Sequence, residues 1–118
     1  MSSAEPPVHQ VLMSIEARKD LRAIVRWIAE HDSPMAATHV LKQVTRTYEG
    51  LATFPERGAY PPELLALGIH RYRQVHFKPY RIIYRVLPDT QPPGVLVALI
   101  ADGRRDLTTL LERRLLAP

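Results

Sequence analysis

Arginine supplies most of the chemistry open to this chain. Arg71, Arg73, Lys78, Arg81 and Arg85 crowd one stretch, and Arg104 and Arg105 follow a glycine in Asp102-Gly103-Arg104-Arg105-Asp106. A further set, Arg18, Arg22 and Arg26, recurs every four residues. A guanidinium presents a fixed fork of donors that matches phosphate and carboxylate oxygens. One use of such a set is metal-free cleavage of RNA. That chemistry needs a base for the ribose 2′-OH, an acid for the leaving oxygen and cations for the phosphate. Arg81, Arg104 and Arg105 are the candidate cations, and His70, His76 or a tyrosine the candidates for proton transfer. The other use is docking, in which a basic surface holds nucleic acid or an acidic protein partner.

Other chemistries find no support. There is no Gly-rich phosphate loop, no GxSxG and no HExxH. The chain has no cysteine, which removes disulfides and thiolate metal sites. Its histidines are His9, His31, His39, His70 and His76. His70 and His76 share a strand face by parity but stand about 20 Å apart at the usual rise, too far to share a metal ion. The sequence therefore calls for no metal and no cofactor.

With 118 residues the chain suits one domain with one core. Lys and Arg outnumber Asp and Glu by 16 to 12, a modest basic excess compatible with an acidic partner. No apolar run approaches the roughly 18 residues that span a bilayer. Met1 to Pro7 lacks the basic and apolar regions of a signal peptide. We read residues 1–7 as a disordered tail, 8–118 as a single domain, and the cytoplasm as its compartment.

The elements that must position the arginines can be read in turn. Val8 to Met13 predicts a short strand. Ser14 caps a helix in which Ala17, Leu21, Ile24 and Ile28 recur at helical spacing, leaving the three arginines as a ridge that Glu16 and Asp20 partly neutralise. Ser33 and Pro34 start a second helix, with Ala37, Leu41, Val44, Tyr48 and Leu51 as its apolar stripe to about Phe54. The short connection makes the two an antiparallel hairpin. Pro55 to Ile69 reads as loop, its leucines tucked under the domain. His70 to Phe77 reads as a strand that turns at Lys78-Pro79 into Tyr80 to Leu87. Tyr80, Ile82, Tyr84 and Val86 share one face of that strand, and Arg81, Ile83, Arg85 and Leu87 the other. Val95 to Ala101 is apolar on both faces and so predicts a central strand. Asp106 caps a last helix from Leu107 to about Leu116. Helices segregated from a mostly antiparallel sheet make an α+β domain. Like charges across neighbouring strands repel, so the crowd from Arg71 to Arg85 needs counter-charges or a partner.

In this order and spacing the run from Ser14 to Leu115 resembles the RelE/ParE family of type II toxins. The resemblance rests on Asp20-Leu21…Ile24…Trp27-Ile28, on Leu51…Phe54-Pro55…Gly58 and on Glu63-Leu64…Gly68. It rests most on Tyr80-Arg81-Ile82-Ile83-Tyr84-Arg85-Val86 and Gly103-Arg104-Arg105-Asp106. It implies a RelE/ParE-like fold: an N-terminal strand and helical hairpin packed on a small antiparallel sheet, with a C-terminal helix. It also implies a cognate antitoxin that wraps the toxin in a hetero-oligomer. Arg18, Arg22 and Arg26, then Arg71, Arg73, Arg81 and Arg85, then Arg104 and Arg105, are the expected antitoxin- or target-binding residues.

RelE-like members cut mRNA on the ribosome, and Arg81 with Arg104 or Arg105 matches their arginines. The C-terminal tyrosine of that set is absent, since Leu107 to Leu111 holds none. Its lysines before the strands are absent from Ala59 to Ile69. ParE-like members instead poison DNA gyrase as non-enzymatic inhibitors. The chain is closer to ParE, with ribosome-dependent mRNA cleavage as the alternative.

Overall fold

The computed structural model describes residues 8 to 116; the expected tail, 1–7, lies outside the described residues. Strand β1 (Gln10–Met13) leads into α1 (Ile15–His31) and α2 (Pro34–Glu49), followed by a 3₁₀ turn at Gly50–Ala52. A short helix α3 (Pro62–Leu65) precedes β2 (Arg73–Phe77), β3 (Tyr80–Leu87) and β4 (Gly94–Asp102). Helix α4 (Thr108–Leu111) runs into a π turn at Glu112–Leu116. The four strands form one sheet in the order β1-β4-β3-β2. β2, β3 and β4 are antiparallel neighbours, while β1 lies parallel to β4. The α+β architecture is the expected one.

The predicted caps of α1 and α2 form. Ser14 accepts a hydrogen bond from the Ala17 amide and Ser33 one from the Ala36 amide, each 3.0 Å long. Each cap satisfies a donor that the helix leaves orphaned and contributes about 1 kcal/mol. Pro34 occupies the first turn of α2, where its missing N–H costs nothing.

The sheet is covered on both faces, as the alternation in β3 requires. Ile82 and Tyr84 pack under the hairpin with Ala17, Leu21, Val44, Leu51, Val95 and Val97. Ile83 faces the other way, against Leu64, Tyr72, Leu99, Leu107 and Leu111. Burying each large apolar side chain contributes roughly 1.5–3 kcal/mol. The Tyr84 ring is fully buried, and its hydroxyl accepts the Gly58 amide at 3.0 Å. A Cβ on Gly58 would lie 2.6 Å from the Gln74 carbonyl oxygen and 2.7 Å from that hydroxyl, so only glycine fits there.

Several boundaries differ from the sequence reading. β2 begins at Arg73, not His70, because the chain before it is still completing a turn. There Gly68 takes a left-handed φ of 74° and the Ile69 amide bonds the Leu64 carbonyl, closing α3. The expected loop from Pro55 to Ile69 thus contains a helix, and of its leucines only Leu64 is buried, while Leu65 and Leu67 are exposed. α2 ends at Glu49, where Gly50 lets the coil tighten. The C-terminal helix is an α turn followed by a wider π turn. The N-cap position falls to Leu107 rather than Asp106, which stands one residue earlier and accepts the Thr108 amide at 2.9 Å.

Beyond Met13, β4 has no strand beside it. The register slips by one residue between Ile83 and Tyr84, which face Leu99 and Val97, so Ala98 bulges. Side chains take the freed backbone groups. The Asp20 carboxylate accepts the Ile100 amide at 3.0 Å, and Arg114 donates to the Ala98 carbonyl at 3.2 Å. Arg114 also donates to both Asp20 oxygens at 3.0 Å. An α1 residue is thereby tied around the sheet edge to the C-terminal turn. Among the described residues no helix is long and apolar enough to cross a membrane.

Candidate functional site

The arginines of α1 border a groove of about 610 Å³. Val11, Leu12 and Met13 of β1, Leu21 and Val25 of α1, and Leu41 and Tyr48 of α2 line it, with Arg18, Arg22 and Arg26 along one side. Helical spacing builds this arrangement. Residues four apart stack along one flank, while Leu21 and Val25 turn toward the core. All three arginines are exposed, and none pairs with a carboxylate among the described residues. Asp20, expected to neutralise them, is held by Arg114 on the opposite flank. Leu12 and Leu41 each remain 40% exposed in a groove this large, so an apolar surface stands open beside unpaired cations.

Arg81 is placed quite differently. It is 6% exposed, and its guanidinium donates to both carboxylate oxygens of Glu63 at 2.7 Å and to Gln74 Oε1 at 2.8 Å. The Arg81 hydrogen bonds hold the Glu63 carboxyl below the ordinary carboxylate range. Gly103 keeps the arginine in place from behind, because a Cβ there would collide with Arg81 Cγ and Cδ. His76 stands directly across β2 and β3 from Arg81. Its pKa is lowered, first by burial and then by the charges of Arg81 and Lys78.

Arg104 and Arg105 do not join Arg81. They line a second pocket, about 400 Å³, with Ile24 and Trp27 of α1, Tyr80 and Asp102. That pocket opens on the helical face of the sheet, whereas Arg81 turns toward α3 on the other. Arg104 donates to both oxygens of Asp102, at 3.0 and 2.6 Å, and so holds the Asp102 carboxyl down at about 2. Burial, then the Asp102 charge, raises the Tyr80 hydroxyl.

Of the remaining candidates, Arg73 is half-buried and bonds the carbonyls of Glu56 and Gly58 and the Tyr60 hydroxyl, with its guanidinium 4.5 Å from the Tyr60 ring. Arg85 is half-buried on the Ile83 face of β3, and Arg71 is exposed just before β2. The structure thus brings Arg18, Arg22 and Arg26 together, and Arg104 with Arg105, but disperses the crowd from Arg71 to Arg85. His70 lies outside β2, against Tyr60.

Sequence reasoning missed Glu63, Gln74 and Trp27. The Glu63–Arg81 pairing left no local signal because 18 residues separate the two. For Trp27 a signal existed: it falls off the apolar stripe of α1, as a 60% exposed tryptophan should. Among the described residues no group of three or more His, Asp or Glu could hold a metal ion.

A search of curated proteins finds no significant match. Among solved structures, one titled "Chromosomal ParDE TA system from P. aeruginosa" is similar with a TM-score of 0.64. The two are 14% identical, over 82% of this chain and 98% of that one, which establishes a shared fold. The family model described as "ParE toxin of type II toxin-antitoxin system, parDE" matches residues 11–107. The match takes in both pockets and every candidate arginine, and the chain belongs to the ParE toxin family of type II toxin–antitoxin systems.

Proposed function

We propose that this toxin arrests growth by poisoning DNA gyrase, without catalysis of its own, and that a cognate antitoxin neutralises it in a hetero-oligomer. One observation carries the choice against RNA cleavage: the cations that would hold a phosphate are split between the two faces of the sheet. Arg81 is sealed by Glu63 and Gln74 on one face, while Arg104 and Arg105 line a pocket on the other. Cleavage needs cations, base and acid around one phosphate.

The groove between β1, α1 and α2 supports the antitoxin half of the reading. Its apolar floor fits the apolar face of an amphipathic helix, and Arg18, Arg22 and Arg26 fit acidic residues along that helix's edge. Charges at a rim steer association and set partner choice.

The test uses purified protein, gyrase, ATP and supercoiled plasmid, scored for trapped DNA cleavage and lost supercoiling. Trapped cleavage that the antitoxin reverses is the expected result. No effect from protein that is toxic in cells would overturn it.

The position of His76 opposite Arg81 favours a second reading, ribosome-dependent mRNA cleavage. A histidine with a lowered pKa suits a general base near neutral pH. Transcripts cut within codons in arrested cells, abolished by His76→Ala, would establish it. Intact transcripts would exclude it.

A further inference from the structure

Trp27 is the chain's single tryptophan, and it is 60% exposed. Its ring stacks on His31 with centroids 4.3 Å apart and planes 11° from parallel. It also lines the second pocket, with Ile24, Tyr80, Asp102, Arg104 and Arg105. At about 100° per residue Trp27 lies roughly opposite Arg18 on the α1 wheel, so this pocket and the arginine groove occupy different flanks of one helix.

The pocket is basic as well as aromatic. The Gly103 amide bonds the Pro79 carbonyl at 2.7 Å, which sets the Lys78 turn beside Arg104 and Arg105. Lys78, Arg104 and Arg105 are all exposed, and Asp102, the one carboxylate lining the pocket, is already paired with Arg104. An indole held flat by a second ring, with unneutralised cations beside it, suits a base to stack and a phosphate to anchor.

We infer that the Trp27–Tyr80–Arg105 pocket binds a single strand of DNA, with a base against Trp27 and the backbone on Lys78 and Arg105. The choice of DNA over RNA rests on the gyrase reading, since a gyrase poison meets opened DNA. The binding itself does not rest on it and is tested without gyrase.

Because Trp27 is alone, its fluorescence reports this pocket directly. The purified full chain is titrated at low salt with a short oligodeoxythymidylate, following quenching and, with a labelled oligonucleotide, anisotropy. Saturable quenching is expected at micromolar to roughly 100 µM DNA. Trp27→Leu should weaken binding by anisotropy about tenfold to a hundredfold. Arg105→Glu should weaken it about tenfold and flatten its salt dependence. Lys42→Glu, the same charge change on α2 outside the pocket, should leave it within about twofold. No quenching at the highest concentration would overturn the inference. So would equal binding by the Trp27 and Arg105 variants, equal binding of duplex DNA, or tenfold tighter binding of the matching RNA. Trapped gyrase cleavage from a protein silent in this titration would leave the gyrase reading standing and remove only this site.

Discussion

Arg81 and the α1 arginines look alike in the sequence, each a cation set among apolar residues. In the fold they are opposites. Arg81 lies in the second strand of the sheet from its edge, under α3, where an unpaired charge would cost several kcal/mol. It therefore carries a full set of internal partners, Glu63 and Gln74. Arg18, Arg22 and Arg26 stand on the rim of a groove, where water solvates them and no carboxylate among the described residues claims them. The difference teaches where to look for recognition. A satisfied arginine builds the molecule, and an unsatisfied one beside exposed leucines is available to a partner.

The sharpest way to break this comparison is to truncate one member of each set. Arg81→Ala leaves Glu63 without its partner and should cost about 3–5 kcal/mol in urea unfolding. Arg22→Ala should change stability by no more than about 0.5 kcal/mol. Equal losses would dissolve the distinction.

Antitoxin binding should reverse the order. Changing Arg18, Arg22 and Arg26 to Glu together should weaken antitoxin affinity by about 2–3 kcal/mol, at roughly 1 kcal/mol for each ion pair lost, and lessen its dependence on salt. Isothermal titration at two ionic strengths reads both. An unchanged affinity would remove the groove from the antitoxin surface.

Gly103→Ala tests the buried side from its backing. The added methyl meets Arg81 Cγ and Cδ, so about 1–3 kcal/mol of stability should be lost. Gly68→Ala has open space around it and should cost only the strain of its left-handed φ, about 1 kcal/mol.

The smallest effect is on acid stability. Glu63 has a folded pKa below its ordinary value of 4.5, so its stabilisation is fully present above that value. It is lost as pH falls through the depressed folded pKa. Glu63→Gln should flatten this limb of the pH–stability curve, while Asp102, near 2, keeps a further decline at lower pH. Urea midpoints between pH 5 and pH 2 measure it.

Much of this was legible beforehand. Ser14, Ser33 and Pro34 announce their helices because capping is local chemistry, and the parity of Tyr80 to Leu87 gave both faces of β3 correctly. The short helix after Pro61-Pro62 was hidden because four residues carry too little periodicity to register. The arginines were legible as a set, but not which would be sealed. That depends on Glu63, Gln74 and Asp20, whose partners lie 18, 7 and 94 residues away.

Asp20 and Arg114 have one more consequence. An open strand edge is a template on which a second copy of the same chain can add, and through it a growing aggregate. Here the edge of β4 beyond β1 is closed by two charged side chains rather than by another strand. At this edge the free chain is thus closed to its own copies, and Arg114→Ala should promote self-association that grows with concentration.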